Sequence, residues 1–188
     1  MNCKNKKGFT LIEIMISLTI SILLFFILAE SYSLSQKIYF TTDAKAEITQ
    51  NGRVILDRLI RELRQTPDII TDLPETVGAG SPAAKEIIFQ DGHDTTQINY
   101  IRYYLDGNNF QRQEMFFYFE PDIATHVYFY ATDMYGNDPI MVTSTAKVIG
   151  EYVDDIEFWG DRLTNINLYL SKNGQSEIIN TAVYGRNL

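Results

Sequence analysis

The sequence predicts an α+β fold in which a long N-terminal helix packs on an antiparallel β-sheet domain. No proline interrupts residues 9–66, and the outer half of this stretch has helical periodicity. Beyond residue 66, short runs of alternating apolar and polar residues are separated by turn residues, and no segment has helix-length periodicity. Sheets of this kind bury one face, and the preceding helix supplies a cover.

Charge is distributed unevenly along the 188 residues. Residues 1–8 carry +3, residues 9–66 are neutral and residues 67–188 carry −11, which gives the net charge of −8. The acidic globular part argues against nucleic acid as a partner, because binding a polyanion depends on Lys and Arg. The single cysteine, Cys3, excludes an intramolecular disulfide and a multi-cysteine metal site.

The run from Phe9 to Ala29 has the length of a membrane-spanning helix. Sixteen of its 21 residues are apolar, and about 20 are needed to cross the hydrocarbon layer. Lys4, Lys6 and Lys7 precede it, and such a basic flank stays in the cytoplasm. We therefore expect a single-pass cytoplasmic (inner) membrane protein whose residues from about 30 onward lie outside. The run is too long for a cleavable secretory signal.

Glu13 is an ionisable residue within this apolar run. A charge facing lipid at the bilayer centre costs roughly 2.5–3.5 kcal/mol on translocon scales, so Glu13 needs compensation. It either lies near the interface, where it snorkels or is protonated, or it pairs with a cation from another chain.

Residues 6–13, Lys-Lys-Gly-Phe-Thr-Leu-Ile-Glu, resemble the N-terminal signal of type IV prepilins and pseudopilins. The resemblance implies that a prepilin peptidase cleaves between Gly8 and Phe9 and that the new Phe9 amine is methylated. It also implies that Glu13 attracts the Phe9 amine of a neighbouring subunit during filament assembly. A glycine at position 8 fits physically, because the peptidase must approach the backbone closely.

The predicted organisation has four segments. Residues 1–8 are a cytoplasmic leader, 9–29 a transmembrane helix, 30–66 an amphipathic helix and 67–188 an extracytoplasmic, β-rich, pilin-like domain. The helix is predicted to reach up to 58 residues, with Gly52 as a soft point. Its apolar stripe is predicted to pack on the sheet, because too few heptads exist for a coiled coil; it comprises Ile48, Ile55, Leu56, Leu59, Ile60 and Leu63.

Charged residues at i, i+4 spacing lie near the end of this helix. Asp57 with Arg61 and Arg58 with Glu62 are predicted to be ordinary pairs on the solvated side.

Strands are predicted from alternation and turn chemistry. The best hairpin signal is Asn173-Gly174. The predicted strands are Glu86–Gln90, Gln97–Leu105, Phe110–Phe119, Val127–Ala131, Ile140–Thr143, Tyr152–Trp159, Asn165–Ser171 and Glu177–Tyr184.

The resemblance extends to a subtype. Residues 52–64, 101–105, 152–158 and 184–188 are similar to J-type minor pseudopilins and W-type minor pilins. This implies a low-abundance subunit of the tip or initiation complex of a type IV pilus or type II secretion pseudopilus. The implied partners are other minor and major pilins or pseudopilins, the prepilin peptidase, a membrane assembly platform and the lipid bilayer.

No catalytic, cofactor or metal site is predicted, so we expect no enzyme. His93 and His126 lie in no metal or nucleophile pattern, and we interpret them as surface or loop residues. The acidic loops 133–138 and 91–94 offer oxygen ligands for calcium without EF-hand spacing, which favours plain turns.

The aromatic segments 115–119 and 128–130 either pack in the core or contact a partner. Two roles are therefore compatible with the sequence: an architectural subunit, and a tip-located module that binds secretion substrates or adhesion targets.

Overall fold

The computed structural model describes residues 9–93, 96–120 and 122–185. These residues form one helix followed by two antiparallel sheets, which confirms the predicted α+β layout. The chain divides into two compact units, Met1–Asp43 and Ala44–Leu188. The elements are α1 (Leu11–Leu63), β1 (Ile87–Gln90), β2 (Tyr100–Asp106), β3 (Asn109–Phe119), β4 (Asp122–Val127), β5 (Ile140–Thr143), β6 (Lys147–Gly150), β7 (Val153–Trp159), β8 (Leu163–Lys172) and β9 (Gln175–Tyr184).

Helix α1 ends three residues before the predicted limit at residue 66. The chain tightens after Leu63, where the Thr66 amide donates to the Leu63 carbonyl at 3.4 Å in an i to i+3 turn. Thr66 is fully buried, and its hydroxyl lies 2.7 Å from the carbonyl oxygen of Gln90 in β1. The last turn of the helix is therefore joined directly to the first sheet, and Pro67 follows where the helix can no longer continue.

The first sheet is built around β3. Its order is β1-β2-β3-β4, and β5 and β6 also pair with β3, all antiparallel. Strands β2 and β3, both predicted from the sequence, form a hairpin: Asp106 pairs with Asn109, and the turn between them begins at Gly107 with φ of 59°. Strand β3 is long enough to have different neighbours along its two halves.

The second sheet has the order β7-β8-β9. The β8–β9 hairpin closes between Lys172 and Gln175, so both strands extend further than predicted. The two turn residues, Asn173 and Gly174, have φ of 51° and 76°. Positive φ at both positions is the signature of a type I′ turn, whose twist matches that of the flanking strands.

The apolar stripe of α1 packs on both sheets, as predicted. Ile48, Ile55, Leu59 and Leu63 are fully or almost fully buried, and Ile60 is partly buried against the same core. Each fully buried side chain of this size contributes about 1.5–3 kcal/mol of apolar transfer free energy. The sheet residues of the core are Ile87, Phe89, Ile101, Tyr103, Phe110, Val153, Ile156, Phe158, Ile166, Leu168, Leu170 and Val183.

Gly52, predicted as a soft point, is instead a buried position of close packing. A Cβ atom there would lie 2.5 Å from Cδ1 of Ile179 and 3.1 Å from Cδ1 of Leu170. The missing side chain lets the helix backbone approach β8 and β9, so the local cost of glycine in a helix is offset by contact with the sheet.

Three further strands differ from the prediction by more than one residue, and the smallest of these differences is at β2, which begins at Tyr100 rather than Gln97. The chain forms β4 at Asp122–Val127 rather than a strand at Val127–Ala131, because Tyr128 to Ala131 forms a turn closed by the Ala131 amide and the Tyr128 carbonyl at 3.0 Å. Strand β6 was not predicted. It is only four residues long, and it is fixed by pairing with residues 110–112 of β3.

Candidate functional site

The N-terminal end of α1 holds two of the residues that the sequence singled out. The Glu13 carboxylate accepts hydrogen bonds from the Thr10 backbone amide at 2.8 Å and the Thr10 hydroxyl at 2.9 Å. The Glu13 amide lies 3.4 Å from the Thr10 hydroxyl oxygen. This reciprocal arrangement is a capping box, in which a Thr at the N-cap and a Glu three residues later satisfy amides that the first helical turn leaves unpaired.

The capping role of Thr10 was not predicted, although its signal was present. Thr10-Leu-Ile-Glu13 fits the pattern of Ser or Thr followed three residues later by Glu. Within the described residues, Glu13 therefore has a partner in its own chain. One oxygen, Oε2, receives both Thr10 bonds, so the other oxygen remains available to a cation.

The apolar segment that follows is exposed along its whole length. From residue 9 to residue 40 every side chain is exposed, including Phe9 at 85%. Helix α1 is long and apolar enough to cross a membrane. No residue in its most apolar stretch of 18 residues is buried within the chain. A helix that is apolar on all sides needs an apolar environment, which a bilayer or neighbouring helices provide.

The small polar residues of this segment bond to the helix backbone. The hydroxyls of Ser17, Thr19 and Ser21 donate to carbonyl oxygens three or four residues earlier, at 2.8–2.9 Å. Their polarity is therefore satisfied within the helix, and they cost little in an apolar environment.

The cleavage residues are only partly within the structure. Phe9 is described and exposed, whereas Gly8 and the basic leader lie outside the described residues.

One family description matches this end of the chain. The prokaryotic N-terminal methylation motif covers residues 3–29, which include the Gly8–Phe9 bond, Thr10, Glu13 and the apolar run. This match supports a type IV prepilin-like protein. No curated protein matches the chain. The J-type or W-type subtype stays a prediction.

The globular unit contains a second polar cluster. The prediction that its Glu62 lies on the solvated side of the helix is wrong. Glu62 was predicted to form an ordinary surface pair with Arg58; the pair exists at 3.3 Å, but only 11% of the Glu62 side chain is exposed. Glu62 also binds the Arg112 guanidinium at 3.1 Å and accepts a hydrogen bond from the Tyr103 hydroxyl at 2.8 Å. Arg112 in turn contacts Glu114 at 2.5 Å.

The pKa shifts in this cluster favour a neutral Tyr103 and a charged Arg112. Burial, followed by the nearby Glu62 carboxylate, raises the pKa of Tyr103, so this hydroxyl remains a hydrogen-bond donor. Burial alone would lower the pKa of Arg112, but hydrogen bonds to Glu114 and Glu62 outweigh it and raise that pKa. The cluster ties the last turns of α1 to β2 and β3. Because each of its side chains is hydrogen-bonded or ion-paired to another, we interpret the cluster as a structural one.

The two histidines occupy different settings. His93 lies in an exposed loop, as predicted. His126 lies in β4, half-buried, with its ring stacked on Phe116 at 4.1 Å and Nδ1 2.8 Å from the Asn99 side-chain oxygen. The prediction of a surface or loop residue is therefore wrong for His126, whose contacts with Phe116 and Asn99 give it a packing role in a strand.

The acidic loop at residues 133–138 is a turn held by its own carboxylate. Asp133 accepts hydrogen bonds from the amides of Tyr135 and Asn137 at 2.8 Å, and the Asn137 bonds lower its pKa. In the other loop, Asp91 accepts from the His93 amide at 2.9 Å, and Asp94 lies outside the described residues. Among residues 9–93, 96–120 and 122–185, no group of three His, Cys, Asp or Glu side chains is placed to hold a metal.

Proposed function

We propose that this protein is a minor subunit of a type IV pilus or type II secretion pseudopilus. It is made as a prepilin-like precursor, cleaved by a prepilin peptidase between Gly8 and Phe9, methylated at Phe9, and assembled through its N-terminal helix at the tip or initiation complex. The observation that carries this proposal is the methylation motif at residues 3–29 joined to a helix whose apolar side chains are unburied.

The proposal assigns different work to the two parts of the chain. The segment 9–29 anchors the precursor in the cytoplasmic membrane and later stacks among the helices of other subunits. Glu13 attracts the Phe9 amine of a neighbour, which compensates both charges inside an apolar bundle. Residues 67–188 lie outside the membrane, where their acidic surface favours solubility.

A second function, recruitment of secretion substrates or adhesion targets by the outer domain, is favoured by one observation. Several large aromatic side chains of the globular unit are exposed, including Tyr128, Tyr130 and Tyr135. An architectural subunit and a binding module are compatible in one chain. Pulldown with the full chain separates them, because a purely architectural subunit captures only other filament subunits.

The mature N-terminus tests the proposal directly. The full chain is expressed in membranes with and without a prepilin peptidase, and intact mass and N-terminal sequencing are recorded. We expect a chain that begins with methylated Phe9 only when the peptidase is present. An uncut chain beside a peptidase that processes a control prepilin in the same cells would overturn the family assignment and the function together.

A further inference from the structure

The region from Met115 to Thr143 stands apart from the main core. It contains the second half of β3 with β4 and β5 on either side, and none of its described residues, 115–120 and 122–143, belongs to the core cluster that α1 covers. Its large exposed apolar side chains are Ile123, Tyr128, Tyr130, Met134, Tyr135, Ile140 and Met141, which are more than half of those exposed in the described part of Ala44–Leu188. We call residues 115–143 the outer lobe.

The outer lobe is held in place by a small aromatic cluster of its own. Tyr100 is buried, and its ring meets those of Phe117 and Phe129 edge-on at 5.3 and 6.2 Å. The Tyr100 hydroxyl also accepts the Phe129 amide at 3.2 Å. With Phe129 fixed inward, Tyr128 and Tyr130 project outward and stack on each other at 5.2 Å. The exposed tyrosines are therefore presented by an anchored backbone.

The outer lobe and the residues next to it are acidic. Residues 113–146 contain five Asp or Glu and no Lys or Arg. Four of these acids, Glu120, Asp122, Asp133 and Asp138, are exposed and belong to none of the ion pairs found among the described residues. Hydrogen bonds from Thr125 and from the Asn137 amide lower the pKa values of Asp122 and Asp133, so both are ionised at neutral pH.

We propose that the outer lobe is a docking surface for a different protein, whose contact face carries apolar side chains together with Lys or Arg. Tyrosine is enriched at protein interfaces, and Tyr128 and Tyr130 form an exposed, stacked pair on a fixed backbone. The unpaired carboxylates set the sign of the partner, because complementary charge steers association and like charge opposes it. A second copy is a poor occupant, since contact between two lobes brings both sets of carboxylates together and each chain carries −8.

Site-specific photocrosslinking of the full chain in its membrane tests this surface. A photoreactive phenylalanine analogue replaces Tyr130, which is 64% exposed, and in a matched control it replaces Tyr184 of β9, which is 66% exposed. We expect a discrete adduct from position 130 and none of the same mass from position 184. Mass spectrometry of the crosslinked peptide must place the adduct on another protein, at a site with Lys or Arg around it.

Charge reversal supplies the second half of the test. Asp138→Lys is expected to reduce the yield of the Tyr130 adduct about fivefold, whereas Glu151→Lys, at an exposed acid outside the lobe, changes it by less than about twofold. Reversal of one contacting Lys or Arg on the partner to Asp should restore the yield with Asp138→Lys. The fluorescence of Trp159 monitors folding of both variants.

Three outcomes would overturn the proposal: an adduct between two copies of this chain, adducts with lipid alone or with nothing, and a yield that Asp138→Lys leaves unchanged. The inference deepens the second function proposed above, recruitment by the outer domain, and rests on it; it does not depend on the methylated N-terminus. N-terminal sequencing of the same sample distinguishes the two. A processed chain without an adduct removes the docking surface and leaves the filament-subunit function, and an adduct on an uncut chain does the opposite.

Discussion

Helix α1 contains two stretches that differ in what surrounds their apolar side chains. From Leu11 to Asp43 no residue is buried, and apolar side chains are present on every side. From Ala44 to Leu63 the buried residues recur every three or four positions, and charged residues lie between them. The second stretch is covered by its own sheets, whereas the first needs an environment that the chain itself does not supply. The same helical geometry thus presents apolar side chains to the surroundings in one part and to a globular core in the other.

The largest expected difference between the two stretches appears when one leucine is shortened in each. Leu59→Ala should lower the free energy of unfolding of the globular unit by about 2–5 kcal/mol, because Leu59 is fully buried and its loss leaves a cavity. Leu24→Ala, at a residue 56% exposed, should change it by less than about 0.5 kcal/mol. Chemical denaturation of the full chain in detergent, followed by the single Trp159, measures both.

A loss of similar size in both variants would mean that residues 11–43 contribute to the stability of the globular unit. The comparison of the two stretches would then be wrong.

The next effect concerns the ion pairs within the globular unit. Arg112→Leu should destabilise it by about 2–4 kcal/mol, because the buried Glu62 carboxylate would lose its Arg112 partner and keep only the hydrogen bond from the Tyr103 hydroxyl and the pair with Arg58. Arg102→Leu is the control: Arg102 binds Glu86 in a pair whose side chains are 33% and 42% exposed, and its loss should cost less than about 1 kcal/mol.

Thermal unfolding of both variants, with equal far-UV circular dichroism before heating, checks this order. If Arg102→Leu proved the more damaging change, the assignment of Glu62 and Arg112 as the buried connection would fail.

Local signals in the sequence account for most of what was predicted. The Asn173-Gly174 turn, the apolar stripe and Pro67 act over a few residues, so they can be recognised without the fold. Glu62 could not be placed in this way. Its helical neighbour Arg58 suggests a surface pair, but its buried partner, Arg112, lies 50 residues away and meets it only after β3 pairs with β2.

The remaining errors have related causes. Strand β6 is set by pairing with β3 rather than by its own composition, and β4 was misplaced because Phe129 turns inward to Tyr100. At the N-terminus the information was local, since the capping box is written in Thr10 and Glu13. It was not predicted, because an ionisable residue inside an apolar run is also compatible with a cation from another chain.

A smaller effect on the stability of the globular unit is expected when the pH is lowered. A hydrogen bond from the Tyr169 hydroxyl, helped by Asn167 and Lys85, lowers the pKa of Glu157 below its ordinary 4.5 despite burial. A lowered pKa contributes stability above 4.5, and this contribution is lost as the pH falls through the folded value. Glu157→Gln should therefore reduce stability at pH 7 by about 1 kcal/mol or less and flatten the loss below pH 4.5.

Melting temperatures between pH 7 and pH 3 provide the measurement, with Glu151→Gln at an exposed position as the control. A steeper acid loss in Glu157→Gln than in the unaltered chain would contradict the sign of the shift.

The smallest effect on the globular unit is expected from Glu13 and Thr10. Glu13→Ala, Glu13→Gln and Thr10→Ala should each change its free energy of unfolding by less than about 0.5 kcal/mol, since both residues lie outside that unit. Membrane insertion of the Glu13 variants should be intact or easier by up to roughly 3 kcal/mol, because an ionisable group leaves the span. Cleavage after Gly8 should continue.

The three variants should differ in assembly, because they distinguish the loss of the capping hydrogen bonds from the loss of the negative charge. Gln can replace Glu in a capping box, so Glu13→Gln keeps the helix start and removes only the negative charge. Thr10→Ala removes the Thr10 hydroxyl from the capping box and keeps the negative charge of Glu13. If Glu13 compensates the Phe9 amine of a neighbour, crosslinking to neighbouring subunits should fall in Glu13→Gln and Glu13→Ala and change little in Thr10→Ala. If Glu13 serves only its own helix, Thr10→Ala and Glu13→Ala should be impaired together while Glu13→Gln assembles normally, and the attraction between subunits would have to be abandoned.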